Sequence, residues 1–173
     1  DSNPFDISNG MFTIMTGAGS GLIVNHTGDS GEGSFRDAIE QANANPGPDT
    51  IRFEIPESDP GYIADGGYWQ IRPASPLPGL TDGGTFIDGL PQAFFTEELT
   101  YHGPFIEISG QDIAQDVEGI MISSSGNVIR GLAVNQFQGI AILVEGMGHD
   151  NNHIYANHIG IDAFHEIRQQ RQA

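Results

Sequence analysis

The chain has 173 residues, a length that suits one domain, and 38% of them are hydrophobic, enough for a continuous apolar core. Its net charge is −17 with no lysine, the cations being Arg36, Arg52, Arg72, Arg130, Arg168 and Arg171; that balance speaks against a nucleic-acid partner, which needs a basic stripe, and against anionic membrane surfaces. The absence of cysteine excludes disulfides, thiol catalysis and zinc–thiolate sites, and no run of 18 apolar residues is present to span a membrane.

Residues 1–33 read as an extended N-terminal segment, with weak alternation at Met11 to Met15 and a short apolar run at Leu22-Ile23-Val24. Opening at Asp1 rather than methionine is what a removed signal peptide leaves, as does an excised piece of a longer chain. Asn25-His26-Thr27 matches the glycosylation acceptor pattern, a three-residue match that chance supplies often. The spacing of Phe35, Ala38, Ile39 and Ala42 predicts an amphipathic helix over 34–45, capped by Ser34 with Asp37 three positions on and stopped by Asn45-Pro46-Gly47-Pro48. Such a helix ahead of stacked strands covers the end of a core.

From 49 to 162 strand signals follow one another. Ile51-Arg52-Phe53 is echoed by Ile71-Arg72-Pro73 at an offset of 20, and Thr85-Phe86-Ile87-Asp88 by Pro104-Phe105-Ile106-Glu107 at 19. The strongest repeat comes last. NVIRGLAVNQFQGIAI, residues 127–142, and NHIYANHIGID, residues 152–162, share one template 25 residues apart, so that Asn127, Ile129, Gly131 and Val134 fall on Asn152, Ile154, Ala156 and Ile159. A second register sets Gly119-Ile120-Met121-Ile122 on Gly139-Ile140-Ala141-Ile142, 20 residues on. Repeats of this length with strand-like alternation predict a stacked β-solenoid of five or six rungs. Two segments interrupt it, 56–70 and 90–103; their aromatics, Tyr62, Tyr68, Trp69, Phe94, Phe95 and Tyr101, either form a ligand-facing surface or seal the loops against the column. The tail, 163–173, changes character at Asp162.

The string SFRDAIEQANANPGPDTIRFEIP, residues 34–56, resembles the opening of right-handed parallel β-helix proteins that bacteria secrete: a Ser-Leu-Arg-Glu-Ala-Ile helix, an Ala-Asn step, a Pro/Gly/Asp turn and an Ile-x-Phe strand. Phe35 stands for the Leu and Asp37 for the Glu. NVIRGLAVNQFQGIAI and NNHIYANHIGID look like the Asn-x-Ile-x-Gly rungs of the same group, which shares the pectin-lyase-like superfamily fold. The resemblance implies an all-β, right-handed parallel β-helix with an N-terminal capping helix, secreted or at the cell surface. It says less about activity, because this fold carries lyases, hydrolases, adhesins and passive surface proteins. Relatives usually continue for more rungs than follow here, so the last rung would meet a capping tail, the continuation of a longer native chain, or another subunit, head to tail.

The chemistry is sparse. Asp88 and Glu107 follow equivalent Phe-Ile pairs and would face outward on neighbouring rungs, where two carboxyls about 5 Å apart would suit a retaining glycosidase; calcium binding or plain solvation explains such a pair equally well. A pectate-type lyase would want a basic proton abstractor, and Arg130 stands alone in the later rungs. His149, His153 and His158 are close in sequence but do not share a face. Asn127 and Asn152 open equivalent rungs and predict a structural amide ladder. The reading is a structural or adhesive extracellular module that assembles with itself head to tail. The alternatives are a polysaccharide-acting lyase or glycoside hydrolase, and a carbohydrate-binding module.

Overall fold

The computed structural model describes residues 21–95 and 103–163. These are mostly β, with parallel sheets and one long helix. The strands are β1 (Gly21–Val24), β2 (Thr50–Phe53), β3 (Tyr62–Ile63), β4 (Tyr68–Ile71), β5 (Phe86–Asp88), β6 (Ile106–Ser109), β7 (Ile120–Ile122), β8 (Val128–Arg130), β9 (Leu132–Asn135), β10 (Ile142–Val144), β11 (His153–Tyr155) and β12 (His158–Ile159). The helices are α1 (Phe35–Ala44) and the single turn α2 (Gln92–Phe95).

Sheet one has the order β1-β2-β5-β8-β11, all parallel. Sheet two runs β3-β4-β6-β9-β12 and is parallel except for the β3–β4 hairpin. The third sheet is β7 with β10, extended by a parallel bridge from Leu80 to Ile122. The chain visits the sheets in turn: β5, β6 and β7 make one circuit, β8, β9 and β10 the next, and β11 and β12 open a third. Period-2 alternation sends every second side chain inward. Columns of equivalent residues result: Leu22, Ile51, Ile87, Ile129 and Ile154 in sheet one, and Ile71, Ile108, Val134 and Ile159 in sheet two. The middle members are fully buried in one continuous core. Each such burial is worth about 1.5–3 kcal/mol.

The 25-residue template is the true stacking register of the last two circuits. The 20-residue one is not, since Ile120 pairs with Ile142 rather than Ile140, which points into solvent. The echoes at 19 and 20 residues relate different sheets of one circuit: Ile51 lies in sheet one and Ile71 in sheet two. Stacked equivalents in the earlier circuits are further apart, because excursions such as the β3–β4 hairpin lengthen them. Residues 68–71 are themselves a regular strand of sheet two and not an insertion.

Helix α1 forms where its periodicity predicts. The Ser34 hydroxyl accepts the Asp37 N–H at 3.1 Å, and the Asp37 carboxylate accepts the Gly33 N–H at 3.1 Å. Phe35, Ala38, Ile39 and Ala42 are buried, with the Phe35 ring 5.6 Å from that of Phe53. The other side of the helix is tied to the first circuit below it. Arg36 donates to the Ser75 and Pro76 carbonyls at 2.9 and 2.7 Å, and Asn43 donates to Gly79 O at 2.7 Å and accepts from Thr81 N at 2.9 Å. So α1 covers the core beside β1, at the outer edge of sheet one.

Candidate functional site

The corner before sheet one is lined by Asp49, Thr85, Asn127 and Asn152, each one residue ahead of its strand. Thr85 donates its backbone N–H to Asn127 Oδ1 at 3.1 Å, and Asn127 donates its own to Asn152 Oδ1 at 2.8 Å. Asn127 Nδ2 donates to Asn152 Oδ1 and to Ser124 Oγ, both at 3.0 Å, and Asn152 Nδ2 donates to Ser124 O and His149 O. The two asparagines therefore share a direction: the side-chain oxygen of each takes the N–H of the equivalent residue one circuit earlier, whereas the buried Thr85 Oγ1 has no hydrogen-bond partner among the described residues. Among the described residues the N–H of Asn152, the last member, meets no acceptor. A second amide works at the corner between sheets one and two. Asn157 Oδ1 accepts Leu132 N–H at 3.0 Å and its Nδ2 donates to Ile129 O at 2.9 Å, with Gly131 (φ 72) and Ala156 (φ 54) both left-handed there.

The carboxyl pair expected at Asp88 and Glu107 is not a pair. Asp88 lies in sheet one between Arg52 and Arg130, whereas Glu107 lies in sheet two between Gln70 and Ala133. Both point outward as alternation requires, yet both are covered, at 5% and 2% exposure. Asp88 is gripped bidentately by Arg130, at 2.9 Å through Nε and 2.7 Å through Nη2, and accepts Leu90 N–H at 3.2 Å. The Arg130 guanidinium lies 4.9 Å over the Phe86 ring and donates to Tyr155 OH at 3.4 Å. Its hydrogen bonds to Asp88 hold its pKa further above the ordinary arginine value, so it is a fixed cation. Glu107 accepts Gln70 Nε2 at 2.7 Å and Ala163 N at 2.8 Å, beneath a small apolar cluster of Tyr68, Ala133 and Ala163 with Ile63. Both carboxylates are buried and hydrogen-bonded within the fold.

Three of the expected ligand-facing aromatics, Tyr62, Tyr68 and Trp69, pack within the fold. Trp69 is 1% exposed in the main core, donates Nε1–H to Pro56 O at 3.0 Å, and meets Tyr62 with ring centroids 4.7 Å apart. Tyr68 is buried outside sheet two. Phe94 and Phe95 end α2, and Tyr101 lies outside the described residues. Among the described residues no group of three or more His, Asp or Glu side chains is arranged to hold a metal ion, and no helix is long and apolar enough to cross a membrane. His153 lies on sheet one, His158 on sheet two, and His149 bonds to Glu145 O.

Among the described residues the last circuit is the least covered. Ile154 stands on buried Ile129 yet is 36% exposed, and Ile159 stands on buried Val134 yet is 51% exposed. Val144 of β10 is exposed beside them. Strands β10, β11 and β12 each pair on one side only among the described residues. The template repeat locates this circuit in the sequence. The Asp88–Arg130 grip, spanning 42 residues, and the Gln70–Glu107 bond carry no local signal, because the lengths of the intervening excursions set the register. No family model matches this chain, and no curated protein or solved structure is significantly similar to it.

Proposed function

We propose that this chain is a right-handed parallel β-helix of the pectin-lyase-like kind and serves as a structural or adhesive module, secreted or held at the cell surface. Three stacks of parallel strands visited in rotation support the fold reading, as does the near-universal right hand of parallel crossovers. The observation that carries the functional reading is the uncovered last circuit. Among the described residues Ile154 and Ile159 continue two buried apolar columns and are themselves exposed, on strands that pair on one side only. The polysaccharide-acting alternative has less behind it, since Asp88 and Glu107 are in different sheets and their oxygens are committed.

The test is adhesion of the purified chain to bacterial cells or isolated envelope, compared with an Ile154→Lys/Ile159→Lys variant of unchanged circular dichroism. Adhesion by the wild type and its loss in the variant are expected. Absent adhesion, or turnover in a polysaccharide panel read for new reducing or unsaturated ends, overturns the reading.

A further inference from the structure

The geometry points to a binding site for one water molecule inside the corner before sheet one, between Thr85 and Asp49. The corner residues Asp49, Thr85, Asn127 and Asn152 stack one above the other, each one residue ahead of a paired strand. Asparagine closes the two later steps. Asn152 Oδ1 takes the N–H of Asn127 at 2.8 Å, and Asn127 Oδ1 takes the N–H of Thr85 at 3.1 Å. Threonine stands at the earlier step and does not close it. Thr85 is fully buried, and its Oγ1 has no hydrogen-bond partner among the described residues. This step lies within the stack, between the strands β2, β5 and β8.

Reach explains the difference. An asparagine Oδ1 lies two bonds beyond its Cα–Cβ unit, a threonine Oγ1 only one, so the hydroxyl stops short of the circuit below. Stacked strands are about 4.8 Å apart, whereas a direct O–H···O bond spans about 2.5–3.0 Å. Two such bonds meeting at a water oxygen span roughly 4.5 Å, which matches the interval. The group on the far side is the Asp49 carboxylate, 1% exposed. Its Oδ1 accepts Asn45 Nδ2 at 3.2 Å, and its Oδ2 is buried in the same corner. A water there accepts from the Thr85 hydroxyl and donates to the carboxylate. It supplies the bond that a buried hydroxyl otherwise forgoes at a cost in free energy.

The donor set suits water better than a metal ion. Thr85 and Asp49 bring one neutral and one charged side chain, and the oxygen of Asn127 is already committed to Thr85 N–H. A hard divalent cation asks for six or more oxygens.

The experiment counts long-lived internal waters in the whole protein by oxygen-17 relaxation dispersion. Thr85→Val keeps the side-chain shape and removes the hydroxyl. Thr85→Asn extends the side chain so that it closes the step itself. The count should fall by one in each variant. Thr85→Val should also lower the melting temperature, because it takes the bridge away from Asp49. An unchanged count in Thr85→Val overturns the inference. So does a rise in its melting temperature, which is what deleting a hydroxyl that nothing satisfies would give. Should Thr85→Asn fail to fold, Thr85→Val alone decides. The wild type is also melted in sodium, potassium and choline chloride at one ionic strength. Equal values are expected, and a dependence on the metal ion overturns water as the occupant. None of these readouts involves adhesion, so the structural reading stands or falls separately.

Discussion

Asn127 holds together three strands' worth of backbone with one side chain. Fully buried, it satisfies Thr85 N–H, bonds to Ser124 and offers its own N–H to Asn152. Replacement by leucine of similar size leaves Thr85 N–H without its acceptor inside the corner and removes the Nδ2 bonds to Asn152 Oδ1 and Ser124 Oγ, while the backbone N–H of residue 127 still reaches Asn152. We expect Asn127→Leu to lower stability by about 1–3 kcal/mol in urea unfolding, the cost of one buried orphan. The neighbouring corner offers the opposite experiment. Gly131 takes a left-handed turn at φ 72, where an added Cβ would sit 2.8 Å from Leu90 N; the equivalent residue of the next circuit is Ala156, in the same turn at φ 54. Alanine there bears a steric cost of about 1–2 kcal/mol that glycine avoids, partly offset by the greater freedom of glycine when unfolded. Ala156→Gly should therefore raise the melting temperature slightly, and Gly131→Ala should lower it. The repeat makes Asn127 and Asn152 visible because their spacing is a bare circuit of 25 residues. Nothing in the sequence joins Asp88 to Arg130, whose meeting depends on everything folded out between them.

Among the elements, α1 was the most legible, because cap, apolar face and stop signal all lie within a dozen residues. Its worth is also easy to test. Ser34→Ala removes the cap and should cost about 1 kcal/mol. Phe35→Ala empties a packed position against Phe53 and should cost about 3–5 kcal/mol. Strand β4 was misread as part of a loop because Tyr68 and Trp69 sit behind a Gly-Gly turn, and aromatics beside glycine look alike in a binding loop and a hairpin. Only pairing with β6 shows that Trp69 begins an inward column over Ile106 and Leu132. The 20-residue echoes failed for a related reason. Each circuit places similar alternating strands in sheets one and two, so likeness between strands does not say which sheet either belongs to.

At the scale of the molecule the two ends differ, and that asymmetry governs behaviour. One end is covered by an amphipathic helix; at the other, the last described circuit presents half-made columns. In a stack of nearest-neighbour contacts, a circuit packed on one side only opens first. Amides of β11 and β12 held by the circuit above should exchange at least tenfold faster than those of β8 and β9, measured on the free protein by mass spectrometry or NMR. Ile154→Lys should change global stability by no more than about 0.5 kcal/mol, as expected for a side chain on an open face.

Alternation, the Asn-x-Ile template and the helix signals are local, and by themselves they determined that the chain forms short strands behind one amphipathic helix, and how the last two circuits align. They also pointed to the uncovered end as the place to look. Only the tertiary structure decided that Asp88 and Glu107 belong to different sheets, that Trp69 is core, and that α1 makes the ends unlike. Those facts depend on the lengths of the excursions between strands, which set the register of residues 36 to 42 positions apart. Periodicity places a side chain inside or outside; it does not say which neighbour it will meet there.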